Sequence, residues 1–195
     1  MKLLHIDSSS LGSHSVSRGL TAAIVAELVR EQPGLEVIYR DLVAQPLPHW
    51  TPVADAADPA ALLGNEVMEE FLAADVIVVG APMYNFSIPS ALKAWLDRVL
   101  VAGKTFRYTE NGPEGLAKGK RVIIASSRGG IYTEGTSGAA VDFQEPYLRA
   151  VLGFIGITDV EFVRAEGVNL SADHKTEALK TAQASIGVVA TRKAA

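Results

Sequence analysis

The chain has 195 residues, and 48% of them are hydrophobic, which is enough to fill the core of one domain. A net charge of -4 without blocks of like charge argues against nucleic-acid binding, which usually requires a basic face. The chain lacks cysteine, which excludes disulfides and thiolate metal sites, and it has no apolar run of about 18 residues, so we expect a cytoplasmic protein without a signal peptide or membrane span.

Short β-branched runs alternate along the chain with segments of helical spacing. The runs predict strands, and apolar residues at intervals of three and four predict helices. In the first part of the chain we predict a strand at 2–7, a helix at 17–31, a two-faced strand at 35–41 near a sheet edge, a proline-rich loop at 42–60 and a helix at 62–73. A buried strand at 76–80, a helix with Pro89 in its first turn, a hairpin or excursion at 103–119, a strand at 121–126 and a glycine-rich loop at 129–142 follow. The chain then continues with a helix marked by Phe143, Tyr147, Ala150, Val151 and Phe154, a strand at 160–165, and a last helix marked by Leu179, Ala182, Ile186 and Val189.

Five strands that alternate with five helices predict an α/β protein with an open parallel sheet. We expect a flavodoxin-like three-layer sandwich, with strand order 2-1-3-4-5 and helices on both faces, formed by residues 1–195 as a single domain. In this fold a ligand binds where the strands end at their carboxyl termini. The loops after the first, third and fourth strands are therefore the candidate binding loops.

The loop after the first strand is rich in serine. Six hydroxyls occur within residues 8–17, directly before a helix. Free N–H groups at a helix N-terminus, together with hydroxyl donors, favour an anion such as a phosphomonoester. The serines could also simply cap the helix and solvate the loop.

The loop after the third strand, Gly80 to Pro89, carries Met83, Tyr84, Asn85 and Phe86 where polar turn residues are usual. Aromatic and sulfur side chains at that place suit packing around a flat ring, and Asn85 could bond the polar edge of a flavin. A hydrophobic plug over the core is the alternative.

The loop after the fourth strand contains Ser127, Arg128, Gly129 and Gly130. Paired glycines permit a turn in which successive N–H groups form an anion-binding nest, which would favour a reduced, anionic flavin. The alternative is an ordinary turn with a solvated arginine. All three signals fall at the expected ligand rim, and this agreement supports a binding site there.

These segments resemble the bacterial FMN-dependent NADH-azoreductase family, also described as NADH:quinone oxidoreductases. The resemblance covers nearly the whole chain. It is carried by Pro82-Met83-Tyr84-Asn85-Phe86, by the segment 105–116 that begins Thr105-Phe106-Arg107-Tyr108, by Ser127-Arg128-Gly129-Gly130 and by the segment 152–157.

The resemblance implies bound FMN, with NADH as electron donor and quinones or azo compounds as planar acceptors in a ping-pong reaction. It implies a homodimer in which Tyr108 and Phe154 line the substrate space, partly from the neighbouring subunit. No catalytic side chain is assigned, because the hydride chemistry belongs to the cofactor. The cofactor contacts that it implies are Ser9, Ser15, the backbone of Val16, Ser17, Pro82, Met83, Tyr84, Asn85, Phe86, Ser127, Arg128, Gly129 and Gly130.

Other interpretations remain open at this point. A flavodoxin-type electron carrier would bind FMN without oxidising NADH itself, although such carriers are shorter and more acidic and have no use for residues 103–119. An FAD-using quinone reductase and a non-redox phosphate binder are further alternatives. The loops at 50–62 and 131–142 depart from the family pattern and could set substrate choice.

The sequence also predicts the surroundings of several aromatic residues and histidines. We expect Phe106 and Tyr108 to be exposed, where a partner could cover them. Trp50 and Trp95 are interpreted as packing residues. The four histidines show no metal-ligand spacing, so no metal site is predicted.

Overall fold

A computed structural model describes residues 1–192, so the last three residues of the predicted 1–195 domain lie outside the described residues. Seven strands are present within that range. They are β1 (Lys2–Asp7), β2 (Glu36–Asp41), β3 (Val76–Pro82), β4 (Phe106–Thr109), β5 (Gly112–Gly115), β6 (Arg121–Ser127) and β7 (Asp159–Ala165).

Five of the strands form one parallel sheet in the order β2-β1-β3-β6-β7, and β4 and β5 form a separate antiparallel hairpin. With the hairpin left out, the order is 2-1-3-4-5, as predicted. The predicted position of the second strand near an edge is confirmed as well, since β2 pairs only with β1. The flavodoxin-like α/β fold expected from the sequence is therefore present.

The main helices are α1 (Val16–Glu31), α2 (Pro59–Ala73), α3 (Ser90–Val99), α4 (Glu145–Phe154) and α5 (Ala172–Thr191). The start of α2 lies three residues before the predicted one. Asp58 accepts a hydrogen bond from the backbone N–H of Ala60 at 2.7 Å, and Pro59 occupies the first helical position. An acidic cap followed by proline is a common helix start. The sequence prediction misses it because Pro59 is counted with the prolines of the preceding loop.

The helices cover both faces of the sheet. Leu20 and Ile24 of α1 and Ile186 of α5 pack on one face. Phe71 of α2 and Trp95 of α3 pack on the other face, together with residues of α4. Because β3 is covered on both sides, every one of its residues is buried, which explains its continuous apolar sequence.

Two boundary predictions are wrong. Pro89 precedes α3 as its N-cap residue and does not lie in the first turn. Phe143 precedes α4, and 58% of its surface is exposed, so it does not belong to the buried face of that helix. The predicted loop at 129–142 also contains one short 3-10 turn, at Ala139–Val141.

Only one of the two aromatic residues of the hairpin is exposed, so the prediction that both are exposed is wrong for the other. Tyr108 is 75% exposed, but only 8% of Phe106 is, because its ring packs 4.7 Å from that of Phe154. The hairpin is fixed to the end of α4 by close backbone contact. A Cβ atom added to Gly115 would lie 2.2 Å from the backbone nitrogen of Gly156.

Of the tryptophans, Trp95 is buried as predicted, whereas Trp50 is 55% exposed. No helix within residues 1–192 is long and apolar enough to cross a membrane.

Replacing Gly115 by Ala should loosen the hairpin, because the added methyl group meets backbone that cannot move aside. We expect a loss of about 2 kcal/mol in the free energy of unfolding, measured by urea denaturation. The control is Gly153→Ala in α4, where a Cβ meets nothing within 4 Å, and it should leave stability unchanged or raise it by up to about 1 kcal/mol. Equal stability of the two variants would contradict close docking of the hairpin.

Candidate functional site

The serine loop joins β1 to α1 and lies against the end of β3. The Ser8 hydroxyl donates to the carbonyl oxygen of Gly80 at 2.6 Å. Ser15 caps α1, because its hydroxyl oxygen accepts from the backbone N–H of Arg18 at 3.2 Å. The capping interpretation of these serines is therefore correct for Ser15. The backbone N–H groups of Val16 and Ser17, at the start of α1, donate to no group within residues 1–192.

The loop after β3 makes a tight turn. Tyr84 and Ser87 exchange backbone hydrogen bonds of 2.9 and 3.1 Å across Asn85 and Phe86. Both central residues have positive φ, 48° for Asn85 and 71° for Phe86, and they are the only residues other than glycine with this conformation in the described chain. A bulky residue in this region of φ is uncommon and strained, and such residues concentrate at functional sites.

Tyr84 does not act as a plug over the core. Its hydroxyl lies 3.1 Å from the Ser9 hydroxyl and accepts from the backbone N–H of Ser10 at 3.1 Å. The backbone N–H of Met83 donates to the carbonyl oxygen of Ser127 at 2.8 Å. The middle loop is thus bonded to both of its neighbours, and the three predicted loops form one connected rim.

The loop after β6 keeps two donors open. The backbone N–H of Arg128 donates to Ala165 at 2.9 Å, whereas the N–H groups of Gly129 and Gly130 have no partner within residues 1–192. A Cβ atom on Gly129 would lie 2.8 Å from Nδ2 of Asn169, so a larger residue here would have to displace that side chain.

Arg128 is not the solvated arginine of the alternative interpretation, because it is only 2% exposed. Its guanidinium Nη2 lies 2.9 Å from a carboxylate oxygen of Asp142 and 2.8 Å from one of Glu145, and its Nη1 lies 2.9 Å from Glu166. Burial alone would raise the pKa of Glu166, but bonds from Thr133, the Tyr132 backbone and Arg128 outweigh it and lower that pKa. The Arg128 side chain therefore fixes the loop and is neutralised there.

A single cleft contains nine of the thirteen predicted cofactor contacts. Those nine are Ser9, Ser15, Val16, Pro82, Met83, Tyr84, Ser127, Arg128 and Gly129. Of the other four, Ser17 lies fully buried under the loop, 3.1 Å from the Ser15 hydroxyl, and Asn85, Phe86 and Gly130 lie beyond the lining. Phe86 is 48% exposed and faces the ring of Tyr132 at 6.4 Å.

Five lining residues were not predicted as contacts: Leu11, His14, Val168, Asn169 and Lys175. His14 is exposed on its loop and also lines the cleft. Lys175 lies in the first turn of α5, which follows the fifth strand of the sheet. That strand also ends at the ligand rim, and this topology is the sequence signal that marks its loop as a fourth candidate binding loop.

Tyr108 and Phe154 do not line this cleft within one chain. Both belong to an aromatic group around Phe106, where the ring centroid of Tyr108 lies at 5.5 Å and that of Phe154 at 4.7 Å. No residue of β4 or β5 contributes to the cleft lining. Residues 1–192 also contain no cluster of His, Asp and Glu suited to a metal ion.

Arg18 anchors the serine loop by hydrogen bonds. Its guanidinium donates to the carbonyl oxygen of Ser9 at 2.8 and 3.1 Å and forms a two-pronged ion pair with Asp41 at 2.7 and 2.8 Å. The bonds from Arg18 are the largest influence on the carboxyl of Asp41 and lower its pKa to about 2. Tyr39 bridges this pair to the buried Asp7, to which its hydroxyl donates at 3.1 Å.

Residues 1–189 match the model of the family described as having the flavodoxin-like fold. An FMN-dependent NADH:quinone oxidoreductase of Sinorhizobium fredii is 61% identical to this chain, over 95% of both proteins. Another of that description, from Xanthomonas euvesicatoria, is 60% identical, over 96% of this chain and 95% of the relative. The chain belongs to the flavodoxin-like family of FMN-dependent NADH:quinone oxidoreductases.

Solved structures of this family agree with the fold. An azoreductase from Bacillus anthracis superposes with a TM-score of 0.89 at 29% identity, over 97% of this chain and 98% of the other. An FMN-dependent NADH-azoreductase from the same species, solved in complex with FMN, gives a TM-score of 0.89 at 27% identity over the whole of both chains. The resemblance inferred from the motifs is therefore confirmed.

Acid should break the ion pair between Arg18 and Asp41. The pKa of Asp41 is about 2 in the folded protein and near 3.8 in an ordinary aspartate, so the contribution of the pair is complete above pH ~4 and is lost as the pH falls toward 2. We expect a loss of roughly 2 kcal/mol in unfolding free energy from this group, followed by urea denaturation across that range. In Asp41→Asn this part of the pH dependence should be missing, and a variant with the same slope as the parent protein would contradict the assignment.

Proposed function

We propose that this member of the family is an FMN-dependent oxidoreductase that takes hydride from NADH and reduces quinones and azo compounds in a ping-pong reaction. The observation that carries this proposal is the cleft itself. Open backbone donors from two loops border it, aromatic and sulfur side chains from a third loop lie between them, and no carboxylate is among its lining residues.

The serine side of the cleft suits the phosphate of FMN. Val16 and Ser17 offer free N–H groups at the positive end of α1, Ser9 and Ser15 offer hydroxyls, and Lys175 offers a cation. A terminal phosphomonoester has three oxygens, each of which can accept more than one hydrogen bond, so these five groups can satisfy it. A dinucleotide would instead call for a glycine-rich turn after the first strand, which this chain lacks.

The opposite side suits the flavin ring. Pro82, Met83 and Tyr84 supply apolar surface, and the open N–H groups of Gly129 and Gly130 can bond the polar edge of the ring. Bound FMN supplies the hydride chemistry, and these residues orient it. We therefore assign no side chain as an obligatory acid or base.

The acceptor site belongs to a homodimer in this proposal. Tyr108 is three-quarters exposed beside Phe106 and Phe154, and these aromatic rings do not reach the cleft of their own chain. A second subunit that places them over the neighbouring cleft would create a planar, aromatic-walled space for loosely specified acceptors. The loops at 50–62 and 131–142 would then tune acceptor choice. The use of NADH and the absence of cysteine favour a cytoplasmic location.

A flavodoxin-type carrier without NADH oxidation is the rival. It gives the β4–β5 hairpin no role, and the relatives that match over 95% of this chain are described as NADH:quinone oxidoreductases. These two observations favour the enzyme.

The visible spectrum of the purified protein tests the function directly. We expect the yellow colour of bound FMN, bleaching on anaerobic addition of NADH, and recovery of the colour when a quinone or an azo dye is added. Initial rates at several NADH and acceptor concentrations should give parallel double-reciprocal lines. A yellow protein whose spectrum does not change with NADH would be an electron carrier. A colourless protein that takes up no FMN would contradict the proposal.

The phosphate site is tested by removing one backbone donor. Val16 is the first residue of α1, where proline fits without disturbing the helix, and the extended Ser15 before it (φ -77°, ψ 123°) tolerates a following proline. Val16→Pro should weaken FMN binding about tenfold or more, because a hydrogen bond to a charged group is lost. Val16→Ala keeps the N–H and should bind FMN normally. Equal FMN dissociation constants in the two variants would mean that this N–H does not contact the phosphate.

A further inference from the structure

A second cleft, of about 400 Å³, lies between α2 and α3 and is bordered by the loop at 48–53. It shares no lining residue with the cleft at the ends of the strands. Its volume is within the range of small-molecule sites. The loop at 50–62, which is proposed above to tune acceptor choice, contributes Trp50 and Pro52 to its lining, but the proposed flavin reaction assigns this cleft no ligand of its own.

The cleft contains a buried arginine without a counter-ion. Four arginines are buried among residues 1–192, and three of them have carboxylate partners. Arg40 pairs with Glu70 at 2.6 Å, and Arg121 pairs with Glu161 at 2.7 Å. The third, Arg128, pairs with three carboxylates, as described above.

Arg98 differs from these three. It is only 6% exposed, no carboxylate of residues 1–192 lies within 4.0 Å, and its one hydrogen bond in that part of the chain goes from Nη1 to the carbonyl oxygen of Ala94 at 3.0 Å. The neighbouring Asp97 pairs with Lys93. A buried charge without a partner is costly, so an anion supplied from outside would stabilise this arrangement.

The rest of the lining is also prepared for an anion. Lys104 borders the cleft, and its Nζ has only the amide oxygen of Asn65 as a partner within the described residues, at 3.4 Å. Not one of the lining residues is Asp or Glu. Two permanent cations thus border a space with no negative charge on its walls.

The remaining walls are apolar and aromatic. Trp50, 55% exposed, faces the cleft together with Pro48, Pro52, Met68 and Val101. A small inorganic anion would leave these surfaces unused, whereas a planar ring would cover them and gain stacking on the indole. We propose that this cleft binds a small aromatic carboxylate or sulfonate, with its anionic group at Arg98 and Lys104 and its ring against Trp50.

Isothermal titration of the FMN-loaded protein with naphthoate tests this site. Naphthol, which has the same ring without the charge at neutral pH, should bind at least about tenfold more weakly, because it cannot form the charge-assisted bonds. Arg98→Met and Lys104→Met should each weaken naphthoate binding by a similar factor. Lys104 is exposed, so its replacement carries the test if Arg98→Met does not fold. The matched control is Lys180→Met on α5, at the opposite face of the sheet, and it should bind naphthoate like the parent protein.

Three results would overturn the proposal. Naphthoate could bind equally well to all variants while shifting the flavin spectrum, which would place it at the flavin. Inorganic phosphate could bind as tightly as naphthoate and displace it, which would exclude a requirement for an aromatic group. Naphthoate could fail to bind while Arg98→Met changes the mass of the protein in solution, which would assign the cleft to a second copy of the chain.

Discussion

The site depends on hydrogen bonds that tie the three loops at the carboxyl ends of β1, β3 and β6 to one another. The loop after β3 is central, because Tyr84 bonds the serine loop and Met83 bonds Ser127. The Ser8 hydroxyl adds a bond to Gly80 at the end of β3. Parallel strands bring these loops to one edge, but only the cross-bonds determine which backbone donors remain free. The turn that aims Tyr84 is strained at Phe86, so part of the folding energy is used to hold this geometry.

Most of the fold could be predicted from the sequence because its signals are local. The β-branched run of β3 and the spacing of Leu20, Ile24 and Leu28 in α1 follow directly from burial on one or both faces. The errors lie where a local signal was outweighed. Pro89 favours a helix start in general, but the chain uses it as the cap, and Phe143 matches the helical period although it precedes the helix.

The candidate site was predictable as a location and less so as a set of contacts. Hydroxyls and glycines in the three loops identified the rim, because these residues serve backbone geometry that parallel topology makes predictable. The contacts of long side chains depend on residues that are distant in the sequence, and the sequence alone does not show which of these will be neighbours. Arg128 turns toward Asp142, Glu145 and Glu166, Phe106 packs under Phe154, and Lys175 reaches the cleft from a helix that begins near the end of the chain.

The arginines show how charge is distributed around the two clefts. Arg18 and Arg128 both support loops of the first cleft, and both are neutralised by carboxylates, so neither contributes a free charge to it. In the proposed FMN complex, the attraction for the phosphate would come instead from N–H groups at the start of α1, with Lys175 and His14 at the margin. Such donors are directional, so they select the position of a phosphate more than they raise the general affinity for anions. In the second cleft Arg98 is neutralised by nothing in the described chain, and its charge is available to a ligand. The two proposed sites thus differ in kind, because the first would recognise an anion by geometry and the second would attract one by charge.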